Sequence, residues 1–113
     1  MIERVPEFIV FTGPMFGSKT TRLIAAIDRF RYQNRRIIAF KPRMDSRYSA
    51  SEIRTHSGAG LSAMCVGSGS EIVEHVLASK DNYDVIAVDE AFMIEGVAVA
   101  LLELFRKGIT IVV

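Results

Sequence analysis

Residues 7–20 read EFIVFTGPMFGSKT, an apolar run that breaks at Gly13 and resumes as a basic segment at Lys19. That switch of pattern reads as strand, loop, helix. The general phosphate-loop pattern is G-x-x-x-x-G-K-[ST]: backbone N–H groups ring the phosphates, the lysine ammonium reaches the outer ones, and the hydroxyl ligates magnesium. Gly13, Lys19 and Thr20 fall in their places in this pattern. Ser18 precedes the lysine and Gly17 precedes Ser18, so the second glycine is displaced by one residue.

Outward from this stretch the chain alternates strands and helices. Phe8 to Phe11 is continuously apolar and stops at Thr12-Gly13, as expected of a central strand buried on both faces of a parallel sheet. From Lys19 to Asn34 the residues Leu23, Ile24, Ala26, Ile27 and Phe30 recur at helical spacing, while Arg22, Asp28, Arg29 and Arg31 point elsewhere. Asn34-Arg35-Arg36 closes that helix, and Ile37 to Phe40 gives a second buried strand ending at Lys41-Pro42. Strand, helix, strand is a parallel unit with a right-handed crossover.

Arg43 to Ser62 shows no period and reads as a loop, long for so small a domain, and such loops are commonly functional. Ala63 to Val66 is a short strand candidate. Ser68 with Glu71 forms a capping box that opens a second helix ending near Ser79. Asp84 to Val88 is another buried strand, and it delivers Asp89-Glu90 at its C-terminal end, the edge where open parallel sheets bind ligands. Gly96 to Lys107 is a third helix, apolar almost all round and stopped by Gly108, which demands cover on more than one side. Ile109 to Val113 is a further buried strand. The sequence ends on it without a turn or cap, so a single α/β domain over residues 1–113, cut from a larger one, is expected.

A chain of 113 residues that is 50% apolar supports one core. A net charge of +1 creates no global field for nucleic acid or anionic membranes, and neither partner is expected. Eight basic residues lie between Arg29 and Arg54, against Asp45 and Glu52, and read mostly as a solvated rim. The single cysteine, Cys65, excludes an internal disulfide and a cysteine-built zinc site, and reads as a buried core residue in a reducing compartment. The N-terminus MIERVPEF carries no secretion signal or span, so a cytoplasmic location is expected. His56 and His75 lack partners at metal spacing and read as polar loop and helix residues.

Three pieces converge on one sheet edge: the loop Gly13 to Thr20, Asp45 with Arg47 after the second strand, and Asp89-Glu90 after a later one. Phosphoryl transfer needs this division of labour, with amides and a lysine to hold charge, a hydroxyl and an acid to fix magnesium, and a base to prepare the acceptor.

GPMFGSKTTRLI, KPRMDSRYS, THSG and VIAVDEA, in this order, resemble the thymidine kinase family of the type that includes the cellular enzymes, over almost the entire chain. The resemblance implies a P-loop, RecA-like parallel sheet flanked by helices. It also implies transfer of the outer phosphate of ATP to the 5' hydroxyl of thymidine or deoxyuridine with magnesium, in a homo-oligomer, a tetramer in this family. Carried over residue by residue, Gly13, Pro14, Met15, Phe16, Gly17, Ser18, Lys19 and Thr20 would wrap the ATP phosphates. Asp45, Ser46 and Arg47 would sit against them, with Arg47 neutralising charge that develops in transfer, although Arg43 competes for that role. Thr20 would ligate magnesium and Asp89 would hold it through water; Glu90 would be the general base, and Ala91 and Phe92 would complete the ATP-binding set. Met15 and Phe16 would lie toward the nucleoside, or else simply pack.

Three departures from the family pattern bear on activity. The usual Ser-Gly of the loop is reversed to Gly17-Ser18, which puts a side chain where glycine lets backbone approach phosphate, and weakened ATP binding is expected. Phe92 and Met93 stand where the family usually has glutamine and phenylalanine. The family's zinc-binding cysteines and thymidine-enclosing loop lie downstream of the motifs found here, so zinc is expected of the family without ligands in this chain. Two other readings are a catalytically silent nucleotide-binding module of the same fold and another P-loop ATPase.

Overall fold

The computed structural model describes residues 5–12, 19–43, 52–54, 60–79 and 82–113. Five strands form a parallel sheet: β1 (Phe8–Ile9), β2 (Ile37–Pro42), β5 (Met64–Val66), β6 (Val85–Val88) and β7 (Thr110–Val112), in the order β1-β7-β6-β2-β5. Three helices flank it: α1 (Lys19–Tyr32), α2 (Gly69–Ala78) and α3 (Val97–Arg106). This is the α/β architecture of a P-loop NTPase-like domain.

Strand alternation divides the core into two layers. Ala39 of β2, Val85 and Ala87 of β6 and Val112 of β7 face α1, where Leu23, Ile24, Ala26, Ile27 and Phe30 meet them. Ile38 and Phe40, Ile86 and Val88, and Ile111 face the opposite way, against Ile72 and Val76 of α2 and Leu101 and Leu104 of α3. The uninterrupted apolar run of β6 is buried throughout, as a strand covered on both faces must be.

The first strand is not central. β1 pairs only with β7 among the described residues, Phe8 and Ile9 are half-buried, and Val10 is exposed. Its apolar run reports cover above and below the sheet but says nothing about neighbours within it, so the pattern could not distinguish an outer strand from an inner one. The ladder continues past the strand, since the Phe11 N–H donates to the Val113 carbonyl at 2.8 Å.

The helix boundaries follow their caps. Asn34, at φ 59°, closes α1, with its N–H donating to Arg31 and that of Arg35 to Phe30, the left-handed stop that asparagine tolerates. Ser68 caps α2, its hydroxyl accepting from the Glu71 N–H at 3.4 Å. The return half of the capping box is shifted: the Glu71 carboxylate accepts from the Gly67 N–H at 3.2 Å, one residue before the cap. Gly108, at φ 96°, stops α3.

Two further expectations are corrected. Within the stretch expected to be a loop, β3 (Glu52–Arg54) and β4 (Gly60–Ser62) form an antiparallel pair with Ile53 opposite Leu61. Strands of three residues are too short to display a period. Helix α3 is covered on one side only among the described residues: Ala100, Leu101 and Leu104 are buried, whereas Val99 and Leu102 are exposed.

Candidate functional site

All five strands of the main sheet are parallel, so their C-terminal ends share one edge. The connection from β1 to β2 advances across the sheet with α1 on one face; those from β5 to β6 and β6 to β7 return with α2 and α3 on the other. Right-handed crossovers running in opposite directions must use opposite faces. The chain therefore leaves β1 toward one face and β6 toward the other, which opens a crevice between them above the end of β7.

A cleft of about 220 Å³ occupies that position. It is lined by Val10 and Phe11 after β1, Leu23 of α1, Val113 after β7, and Asp89, Glu90, Ala91 and Phe92 after β6. Hydrocarbon forms most of the lining, and Asp89 and Glu90 supply its charge. The predicted position of the two acids at the C-terminal edge is thus where the structure puts them.

The turn after β6 is sharp. The Asp89 N–H still donates to the Phe40 carbonyl at 3.0 Å, continuing the ladder between β2 and β6. Glu90 then adopts a left-handed conformation, φ 53° and ψ 42°, which a residue with a Cβ occupies only at a cost. One turn of 3-10 helix follows (Ala91–Met93), with the Met93 N–H donating to the Glu90 carbonyl and the Ile94 N–H to the Ala91 carbonyl. At about three residues per turn, Ala91 and Ile94 fall on one side and Phe92 and Met93 elsewhere. Ile94 is buried in the core, while the Phe92 ring is 68% exposed and borders the cleft. The two aromatic and thioether departures are therefore not equivalent, because Met93 does not line the cleft.

Lys19 and Thr20 open α1, whose Leu23 reaches the cleft one turn later. Gly13, Pro14, Met15, Phe16, Gly17 and Ser18 lie outside the described residues, as do Asp45, Ser46, Arg47 and His56. The structure brings Asp89, Glu90, Ala91 and Phe92 together.

The basic rim resolves into individual contacts. Arg31 pairs with Asp28 at 3.2 Å, and the guanidinium groups of Arg29 and Arg35 lie 5.5 and 5.0 Å from the Phe30 ring centroid. Arg43 donates to Glu71 at 2.6 Å, which ties the end of β2 to the start of α2. The Glu71 carboxyl is held below its ordinary range, chiefly by the Gly67 N–H and then by the Arg43 guanidinium. The Phe40 and His75 rings lie 6.1 Å apart. Cys65 is half-buried rather than a core residue, because β5 is an outer strand of the sheet among the described residues.

One basic residue does not belong to the rim. Lys41 is 3% exposed, between Phe40 and Pro42 in β2. The signal was present in the sequence: a lysine directly continuing an apolar strand; in the structure the strand runs on through Pro42, which is in register with Val66. Among the described residues no three His, Cys, Asp or Glu side chains are grouped to hold a metal. No described helix is long and apolar enough to cross a membrane.

The thymidine kinase family profile matches residues 7–113. A thymidine kinase of Pyrobaculum aerophilum is 42% identical over 82 residues, which is 73% of this chain and 44% of that protein. Thymidine kinases of Thermococcus kodakarensis and Mesoplasma florum are 38% and 35% identical, covering 91% and 92% of this chain and 54% and 53% of their own lengths. The chain thus spans about half the length of the curated relatives it matches. The profile matches nearly the whole chain, including the turn that carries Asp89 and Glu90, and on that ground the chain belongs to the thymidine kinase family.

Proposed function

We propose that this chain supplies the nucleotide-binding and phosphoryl-transfer core of an ATP-dependent thymidine kinase, passing the γ-phosphate of ATP to the 5' hydroxyl of thymidine or deoxyuridine. The observation that carries the reading is the cleft at the sheet edge, where Asp89 and Glu90 face the end of β1 and the start of α1. The charge-holding groups would come from the other side of that edge. The loop of Gly13 to Ser18, with Lys19, would hold the triphosphate; Asp45, Ser46 and Arg47 would flank it, and Arg47 would offset charge developing on the transferred group.

Glu90 would accept the proton of the attacking hydroxyl. Its left-handed backbone supports this role, since strain of this kind clusters at working sites. Ala91 and Phe92 would bound the space beside it. A neutral, flat nucleobase suits a cleft of hydrocarbon and two carboxylates better than a triphosphate does, so Met15 and Phe16 would join this apolar side.

The donor set fits a magnesium ion: Asp89 offers a hard carboxylate oxygen at the half-buried cleft edge and would hold the ion through water, and Thr20 would add its hydroxyl. Mg²⁺ when bound would neutralise phosphate charge, and a single carboxylate acting through water would suffice, since this ion is commonly held by one or two carboxylates together with substrate phosphates. A cytoplasmic location and assembly into a homo-oligomer belong to the same proposal.

Labelled-phosphate transfer from ATP to thymidine by the full protein tests it. Glu90→Gln should lower kcat about 10²- to 10⁴-fold with little change in the KM for ATP. Transfer at the wild-type rate would remove Glu90 from the base role. ATP consumption without thymidine would favour a plain ATPase, and ATP binding without turnover would favour a silent nucleotide-binding module. A tighter ATP complex in Ser18→Gly would show the cost of the reversed loop pair.

A further inference from the structure

Lys41 is a buried cation that the reading above does not use. An ammonium removed from water is costly unless a negative partner and hydrogen bonds replace its hydration. The register of the sheet places one carboxylate beside it. Phe40 stands opposite Val88, so the next residues along the two parallel strands, Lys41 and Asp89, stand side by side, about 5 Å apart between strand axes. The Asp89 N–H bond to the Phe40 carbonyl keeps the two strands in register to this point.

Alternation sends both side chains the same way. Ala39, Val85 and Ala87 face α1, so Lys41 and Asp89, two residues further along their strands, continue that face. Asp89 and Leu23 of α1 line one cleft, which independently places the carboxylate on this side. On its other flank Lys41 is in register with Cys65, which supplies no carboxylate.

We infer that Lys41 is a positioning residue: its buried ammonium holds the Asp89 carboxylate at the sheet edge in one orientation. The functional half of this inference rests on the kinase reading, whereas the pairing itself does not. The two groups differ in exposure, for Lys41 is buried and Asp89 only half-buried. Asp89→Asn leaves a buried ammonium without its counter-charge; Lys41→Met leaves a carboxylate that water still reaches. The first must therefore cost more stability than the second.

The test is a double-mutant cycle in thermal denaturation of the full protein, with Asp89→Asn, Lys41→Met and both together. Asp89→Asn should lower Tm by on the order of 10 °C, Lys41→Met by less, and the double variant should return close to Lys41→Met. Additive shifts, or a larger loss in Lys41→Met than in Asp89→Asn, would overturn the pairing. Should Asp89→Asn fail to fold, recovery of a folded protein by adding Lys41→Met decides the matter in favour of pairing, and continued failure decides against it. The functional readout is the Mg²⁺ concentration that half-saturates ATP binding by calorimetry. It should rise several-fold in Lys41→Met and be partly restored in Lys41→Arg; an unchanged value would reduce Lys41 to a structural role. If the wild type transfers no phosphate, the kinase reading fails while the denaturation cycle still decides the pairing.

Discussion

Glu90 allows the backbone and the side chain of one residue to be tested separately. Its φ of 53° and ψ of 42° lie in the left-handed region, where an L-residue is less stable by about 1–2 kcal/mol than in ordinary conformations. Glu90→Ala and Glu90→Gly both delete the carboxylate and its contacts, so their difference isolates the backbone. At an ordinary position glycine is the less stable of the two by roughly 0.5–1 kcal/mol, because its unfolded chain has more freedom to lose. Here the strain term has the opposite sign and is larger, which leaves Glu90→Gly the more stable by about 0.5–1 kcal/mol. An unfolding entropy of about 2.1 cal/mol/K per residue gives about 0.24 kcal/mol/K for 113 residues, so the gap corresponds to ~2–4 °C in Tm. Urea denaturation and thermal melting of the two variants read it directly, and phosphate transfer should be lost in both. Equal stability, or alanine above glycine, would falsify the strain argument and with it one support for Glu90 as a working residue.

Two further outcomes follow from packing and charge. A Cβ on Gly69 would meet the Gly96 carbonyl oxygen and, at 2.8 Å, the Ala100 Cβ; because the nearest atom is backbone, Gly69→Ala should cost about 1–3 kcal/mol in chemical denaturation despite alanine's better helix propensity. A wild-type midpoint would mean that α2 and the turn before α3 can separate freely. The depressed carboxyl of Glu71 contributes stability above its ordinary pKa of 4.5, and that contribution is lost as pH falls through the lower folded value. Tm measured across acid pH should therefore show Glu71→Gln below wild type above about pH 4.5 and converging on it below, whereas a gap constant in pH would exclude the ionised carboxylate, held by the Gly67 N–H and then the Arg43 guanidinium, as its source.

Much of the fold was legible because its signals are local. The apolar runs of β2, β6 and β7 and the helical spacing of Leu23, Ile27 and Phe30 each report burial within a few residues. Ser68, Asn34 and Gly108 likewise mark helix ends by their own chemistry. Strand order is not local, which is why β1 read as central and proved to be an outer strand of the described sheet. The β3–β4 pair was missed because three-residue strands carry no period, and Lys41 because a charge count assigns a lysine to the rim without asking which strand it continues. The left-handed turn at Glu90 had no sequence signal, since glutamate is not a residue that prefers it.

That turn and the topology explain each other. β6 must send its chain to the face opposite α1, because the return from β6 to β7 runs against the direction of the first crossover. A gradual exit would carry the residues after Val88 away from the crevice before any of them could line it. The left-handed step at Glu90, closed within three residues by the Met93 N–H bond to the Glu90 carbonyl, reverses the chain at once. Asp89 therefore remains in ladder register with β2, beside Lys41, while Glu90, Ala91 and Phe92 stay on the cleft wall and Ile94 already belongs to the core under α3. On this view the strain at Glu90 is the local cost of holding two acids at the switch point of the sheet. A glycine there would relieve the strain but would give up the carboxylate that the crevice presents, which is the trade that the Glu90→Gly variant measures.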